Sequence, residues 1–391
     1  MRNDLAASVR RACVAGLAAA MLAGTGGVAA QSRAVAISAA FANHTCVITS
    51  ERWVRCWGDN TSGQLGNNDY SPSPVPVDVQ GLPGPVAAIA TGNANTCALT
   101  IGGALWFWGT NLSGRLGNAS MPEWGSPVPV PVDGLGQDVV SFGVGEAHAC
   151  AVMSGGAVRC WGFNGGGQIG TGDTLDVASP ADVAGLPAVR QVAPGFDHTC
   201  ALTTTGAVLC WGFNGFGSFG DGTTVDSFAP TPGPFAGGVQ ALASGQFHGC
   251  ALRSGGALWC WGLNLYGAVG SAAPQQIEAS AVRVGAFHQP VLAVATGSLS
   301  TCALTTGKDQ CWGRNAFGEV GDGTTIDRFT PVAVKRLPGS ALAISGGAEH
   351  ACAIMVDGGV RCWGWNIRGQ LGNGRFDDSF APVHVVGFGD D

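Results

Sequence analysis

The stretch GFDHTCALTTTGAVLCWGFNGFGSFG, residues 195–220, decides the fold. It holds two short β-rich runs, His198 to Leu202 and Ala207 to Trp211, joined by Thr203, Thr204, Thr205 and Gly206. Two such runs separated by a few residues with glycine read as a hairpin. The pair that closes it, Trp211-Gly212, has six counterparts: Trp57-Gly58, Trp108-Gly109, Trp161-Gly162, Trp261-Gly262, Trp312-Gly313 and Trp363-Gly364. The steps between pairs are 51, 53, 50, 50, 51 and 51 residues. A fixed period near 50 means one supersecondary unit copied seven times.

Outward from the hairpin, an apolar run precedes the His segment, as in Val86 to Ala90, and a Pro-Val stretch closes the unit, as in Val128 to Val132. Alternating prolines suit an edge strand, because proline has no N–H to give a neighbour. About four strands per unit suits a propeller blade. The expected fold is therefore all-β: a seven-bladed propeller of four-stranded antiparallel blades over residues 31–391, one domain. With 64 Gly and 20 Pro the chain is rich in turns, while 46% hydrophobic residues argue against disorder. The strand near Ala34 to Ala39 is expected beside the last blade, since a ring must bury the edges of its first and last units.

The repeated segments Trp-Gly-x-Asn-x-x-Gly-x-x-Gly (Trp57 to Gly66, Trp363 to Gly372) and Gly-x-x-His-x-x-Ala-Leu (Gly195 to Leu202, Gly245 to Leu252) resemble those of the regulator-of-chromosome-condensation repeat family. The resemblance spans roughly residues 34 to 388 and implies a seven-bladed propeller. A well-known member of that family promotes nucleotide exchange on a small nuclear GTPase, and a secreted relative inhibits β-lactamases. Neither role carries over simply: this chain has an export-like start, and its repeat is longer than the inhibitor's.

Residues 1–30 stand apart from the repeats. Arg2, Arg10 and Arg11 precede the apolar run Ala12 to Ala23, and Val28-Ala29-Ala30 offers small residues for cleavage, the pattern of a secretory signal peptide. The apolar run is too short to span a bilayer. The first 30 residues hold three arginines and one acid; the remainder holds 16 basic and 25 acidic side chains, a net charge of about −9. An acidic surface argues against nucleic acid as partner. A monomeric bacterial protein, secreted, periplasmic or on the cell surface, is expected, with no membrane span after cleavage.

Twelve cysteines fall in pairs nine or ten apart: Cys46 with Cys56, Cys150 with Cys160, Cys200 with Cys210, Cys250 with Cys260, Cys302 with Cys311 and Cys352 with Cys362. Residues ten apart around a central turn face each other across a hairpin, close enough to bridge in an oxidising compartment. Six disulfides within blades are expected. Cys97 faces Phe107 and is expected to be a buried free thiol. His44, His148, His198, His248 and His350 each stand two residues before a cysteine, on the same strand face. A His/Cys/Cys set can hold zinc. Asn95 and Ser300 replace His in two copies, however, which favours a hydrogen-bonding post, so no metal site is assigned. The Asp221-Gly-Thr-Thr and Asp322-Gly-Thr-Thr segments lack the terminal Glu of a calcium loop and read as Asx-turns. No His-Glu-x-x-His, P-loop or Gly-x-Ser-x-Gly motif is present, so no cofactor or catalytic residue is assigned.

Function is expected where the copies differ. The Gly-x-x-His and Trp-Gly-x-Asn segments flank the hairpin strands and so share one end of every blade. At that end stand Phe163, Phe213, Leu263, Arg314 and Trp365 after the Trp-Gly pairs, and Phe196 and Phe247 before the histidines. Aromatics with arginine are favoured in protein interfaces. These seven are the candidate binding residues for an extracellular or periplasmic protein or glycan. Phe216, Tyr266 and Phe317 are expected to pack between blades, and the turn face, with Thr203 to Thr205 and Gly255-Gly256, to tolerate change. The competing readings are a structural envelope or matrix protein and a lyase or hydrolase with its site at the channel mouth.

Overall fold

The computed structural model describes residues 32–272, 276–285 and 287–389. Residues 1–30, expected to be a signal peptide, lie outside them. The described residues form 28 strands in seven separate four-stranded antiparallel sheets, each built from four consecutive strands in the order 1-2-3-4. Blade 4 is typical: Val189–Pro194, His198–Thr203, Val208–Gly212 and Ser227–Pro232. First strands of neighbouring blades touch each other, so they surround the centre, and the proline-bearing fourth strand is the outer edge. Every blade carries a register shift between its first two strands and another between its last two, at Cys210/Gly212 in blade 4. Such bulges add twist, which lets small sheets fan around an axis.

The Trp-Gly glycine sits at that second bulge. Gly212 has φ +103°, and a Cβ there would lie 2.4 Å from the Asp197 carbonyl oxygen, so only glycine fits. The asparagine two residues on staples the following loop: Asn214 Oδ1 accepts from Phe219 N–H, and the same bond recurs in all seven copies.

The cores lie between blades. Trp211 of blade 4 is fully buried among Val152, Val158, Ile169 and Val183 of blade 3, and each of the seven cores takes its tryptophan from the next blade in this way. The ring closes as the sequence implies. Ala34, Val47 and Trp57 of blade 1 join the core of blade 7, and Ala34 N–H donates to the Gly358 carbonyl at 3.0 Å.

The six expected disulfides are all present. Cys46 is bonded to Cys56 in blade 1, Cys150 to Cys160 in blade 3 and Cys200 to Cys210 in blade 4. Cys250 is bonded to Cys260 in blade 5, Cys302 to Cys311 in blade 6 and Cys352 to Cys362 in blade 7. In each pair the two cysteines are directly opposite across the hairpin, with Cα atoms 4.0–4.1 Å apart. The turn of blade 6 is one residue shorter, which is why Cys311 follows Cys302 by nine and still faces it. Cys97 of blade 2 is free and buried opposite Phe107, and burial pushes its thiol well above the ordinary cysteine range.

Candidate functional site

The repeated histidines build a hydrogen-bond relay across the blade junctions. His44 Nε2 meets the hydroxyl of Thr96 in the next blade at 2.7 Å. Thr96 Oγ1 in turn donates to the Gln64 carbonyl at 2.8 Å, which also accepts the Trp108 indole N–H at 2.9 Å. The same four groups meet at His148–Thr199, His248–Thr301 and His350–Thr45. Because the threonine gives its one proton to the carbonyl, it must accept from the imidazole, which fixes the Nε2–H tautomer. The bare Nδ1 of these four rings has no partner. Burial drives His44, His148, His248 and His350 down to a pKa of about 3, so they stay neutral. The ring lies on the glycine three residues before it: a Cβ on Gly245 would stand 2.1 Å from His248 Cε1. Gly-x-x-His is thus a packing motif, and the adjacent cysteines are bonded to each other. Among the described residues no three His, Cys, Asp or Glu side chains are grouped to hold a metal.

The relay fails at three junctions. In two, both partners are replaced together: Asn95 holds the histidine position with Ala149 at the threonine position, and Ser300 with Ala351. In the third, between blades 4 and 5, His198 is retained but Gly249 stands where threonine should, and His198 Nε2 is buried with no partner. The recurring threonine is visible in the sequence at positions 45, 96, 199 and 301, one residue after each His position, but its bond is to the preceding copy and shows only in three dimensions.

Above this odd junction lies an aromatic cluster. The hairpin ends meet as the sequence implies, with Phe213 N–H donating to the Asp197 carbonyl at 2.7 Å. Phe213 packs on Phe216 (centroids 5.6 Å apart), Phe216 on Phe247 (4.8 Å), and Phe247 on Phe196 (5.1 Å). A second group spans blades 6 and 7: Arg314 pairs with Glu349 at 2.5 Å and lies 5.3 Å from the Phe317 ring centre, and Phe317 packs on Trp365 at 5.8 Å. Phe163 folds over Gly165 of its own loop, and Leu263 ends the third strand of blade 5. All seven candidate residues are half-buried, and none belongs to the seven blade cores.

Acidic groups share this face. Burial raises Glu146 to about 7 against the pull of Arg115 and of the Asn93 hydrogen bond, with nearby Asp197 adding to the rise. Burial also raises Asp197, opposed by its bond from Gln168. Glu319 is raised to about 7 by burial, opposed by backbone donors and Arg314. Glu146 and Glu319 belong to blades 3 and 6 and do not form a catalytic pair. In the sequence these acids show only as departures from the repeat, and their desolvation follows from the neighbours the fold gives them. The two Asp-Gly-Thr-Thr loops are Asx-turns, with Asp221 and Asp322 accepting from Thr223 and Thr324 N–H at 2.9 and 3.0 Å.

A ring of seven four-stranded blades, each core sealed by a tryptophan from the next blade, defines a repeat propeller. The chain belongs to the regulator-of-chromosome-condensation family: the RCC1-like domain matches residues 86–390, and single RCC1 repeats match 54–99 and 35–64. It is 32% identical over 364 residues to the ultraviolet-B receptor UVR8 of Arabidopsis thaliana, covering 92% of this chain and 71% of that one. Its fold is that of human WBSCR16 (TM-score 0.77, 24% identity, 85% of this chain and 94% of that chain). It also matches Prp20p of Saccharomyces cerevisiae (TM-score 0.77, 23% identity, 86% and 87%).

Proposed function

We propose that this chain is an exported, non-catalytic, monomeric propeller that binds a protein through its loop face. The observation that carries the reading is the run Phe213–Phe216–Phe247–Phe196, half-exposed and outside every blade core. Rings kept at a surface without serving a core are the anchors that interfaces use. Six disulfides favour an oxidising compartment, in keeping with the signal-like first 30 residues. UVR8 is named a receptor, in keeping with binding rather than catalysis.

The test uses protein oxidised during export and a pull-down from the producing culture. Phe213→Ala, Phe247→Ala and Trp365→Ala should each cost about 2 kcal/mol of binding to the captured protein. Thr204→Ala and Ser254→Ala, on the opposite face, should cost nothing measurable. Binding lost in the turn variants and kept in the ring variants would place the interface elsewhere. Failure of the ring variants to fold would make the rings packing elements. Turnover of a glycan or peptide by the purified chain would favour the hydrolase or lyase reading instead.

A further inference from the structure

The turn of blade 1 departs from its copies. In five of the other six hairpins the fourth turn residue is a glycine of positive φ: Gly103, Gly156, Gly206, Gly256 and Gly358, at 79–85°. Its carbonyl is tied to the next blade, as Val189 N–H donates to Gly156 O. Blade 1 has Arg52 in that slot, held at φ +70° by the same tie from Val86 N–H at 2.9 Å. A side-chain-bearing residue adopts this conformation at a cost, so folding alone would favour glycine. The next residue is Ala104, Ala157, Ala207 or Ala257 in four copies and Trp53 in blade 1. Trp53 is 50% exposed.

Trp53 lines an open cleft of about 630 Å³ with Ser32, Glu51, Arg55 and Asp78. That volume is within the range of small-ligand sites. Arg55 Nε donates to Asp78 at 2.7 Å, which leaves the outer guanidinium nitrogens available to a ligand. Blade 3 repeats the Arg–Asp pair as Arg159–Asp182 with the same 2.7 Å separation but has Ala157 in place of the tryptophan, so the pair is scaffold and the indole is the addition.

We propose that this cleft binds a saccharide, with Trp53 as the platform for the C–H face of a pyranose ring. A sugar has one apolar face and a rim of hydroxyls. The cleft answers with one flat amphipathic ring, carboxylate acceptors on Glu51 and Asp78, and donors on Arg55 and Ser32. The cleft is on the turn face, opposite the aromatic loops, and does not depend on the protein-binding reading.

The test screens the purified, oxidised protein on an array of immobilised neutral, amino and uronic-acid glycans, then titrates the strongest binder as a free oligosaccharide by calorimetry. Trp53→Ala should weaken binding at least about ten-fold, and Trp53→Phe should weaken it less. The alanine variant should fold, since alanine fills this slot in four other blades. Arg52→Gly should unfold at higher temperature and keep Trp53 in place. Phe213→Ala should bind the sugar as the unaltered chain does. No glycan above background, or unchanged affinity in Trp53→Ala, overturns the proposal. Loss in Phe213→Ala with retention in Trp53→Ala would move the site to the other face and also overturn it.

Discussion

Two junctions of the ring, built from the same repeat, differ by the loss of one hydrogen-bonding side chain from the relay. Where blade 7 meets blade 1, His350, Thr45, the Gln370 carbonyl and Trp57 complete the relay. Where blade 4 meets blade 5, Trp261 still donates to the Ser218 carbonyl at 2.8 Å, but Gly249 removes the hydroxyl between that carbonyl and His198. The Trp261 ring occupies the space: a Cβ on Gly249 would stand 2.7 Å from its Cε2. Above this altered junction, Phe213 and Phe216 of blade 4 pack with Phe247 of blade 5. The difference teaches that the tryptophan bond is the part of the junction the fold retains in every copy, while the hydroxyl is dispensable, as it is also at Ala149 and Ala351.

Acid challenges both junctions and should have the largest effect. Five buried histidines have folded pKa values of about 3 or 4, below the ordinary 6.5, because burial disfavours the cation. Their stabilising effect is complete above pH 6.5 and is lost as pH falls toward 3, since the unfolded chain binds protons that the folded chain refuses. Each histidine contributes a slope of up to about 1.4 kcal/mol per pH unit. Glu146 and Glu319, raised to about 7 by burial, act in the opposite sense between roughly pH 4.5 and 7 and offset part of it. Urea midpoints should hold nearly level from pH 8 to 6.5 and fall as pH drops from about 6 to 4; a profile flat down to pH 4 would mean the rings are solvated.

Removing an indole comes next. Trp57→Ala and Trp261→Ala should each cost about 3–5 kcal/mol by denaturant titration, because both rings are buried in the preceding blade's core. Equal costs would confirm that the tryptophan serves both junctions alike. Gly249→Ala should cost about 1–3 kcal/mol, because the new methyl meets the Trp261 ring. A stabilised Gly249→Ala would show that the junction holds unfilled space. The smallest effect is a difference: His350→Ala should cost about 1 kcal/mol more than His198→Ala, the worth of the one hydrogen bond that His198 lacks. Equal losses would mean that the relay adds nothing to packing.

The repeat made the architecture legible. Seven Trp-Gly pairs at one spacing specify seven copies, cysteines ten apart specify bridged hairpins, and the shared ends of the strands specify which loops share a face. All of these relations are either local to one blade or a period read along the chain. The loop-face aromatics were nameable for the same reason, as departures from a repeated frame. The turn of blade 1 was open to the same comparison, since Arg52-Trp53 stands where other copies have Gly-Ala, but a residue in a turn says nothing of the cleft beside it until Asp78 and Ser32 are placed.

The sequence by itself determined the class of fold, the number of blades, the disulfide pairing and the face on which variation collects. Only the tertiary structure decided which groups meet across a junction. The partner of His44 is Thr96, 52 residues away, and the partner of His350 is Thr45, 305 residues back along the chain, because the ring closes in space rather than in sequence. Which acids are desolvated, which rings touch and why Gly249 is glycine follow from neighbours contributed by a different copy of the same unit.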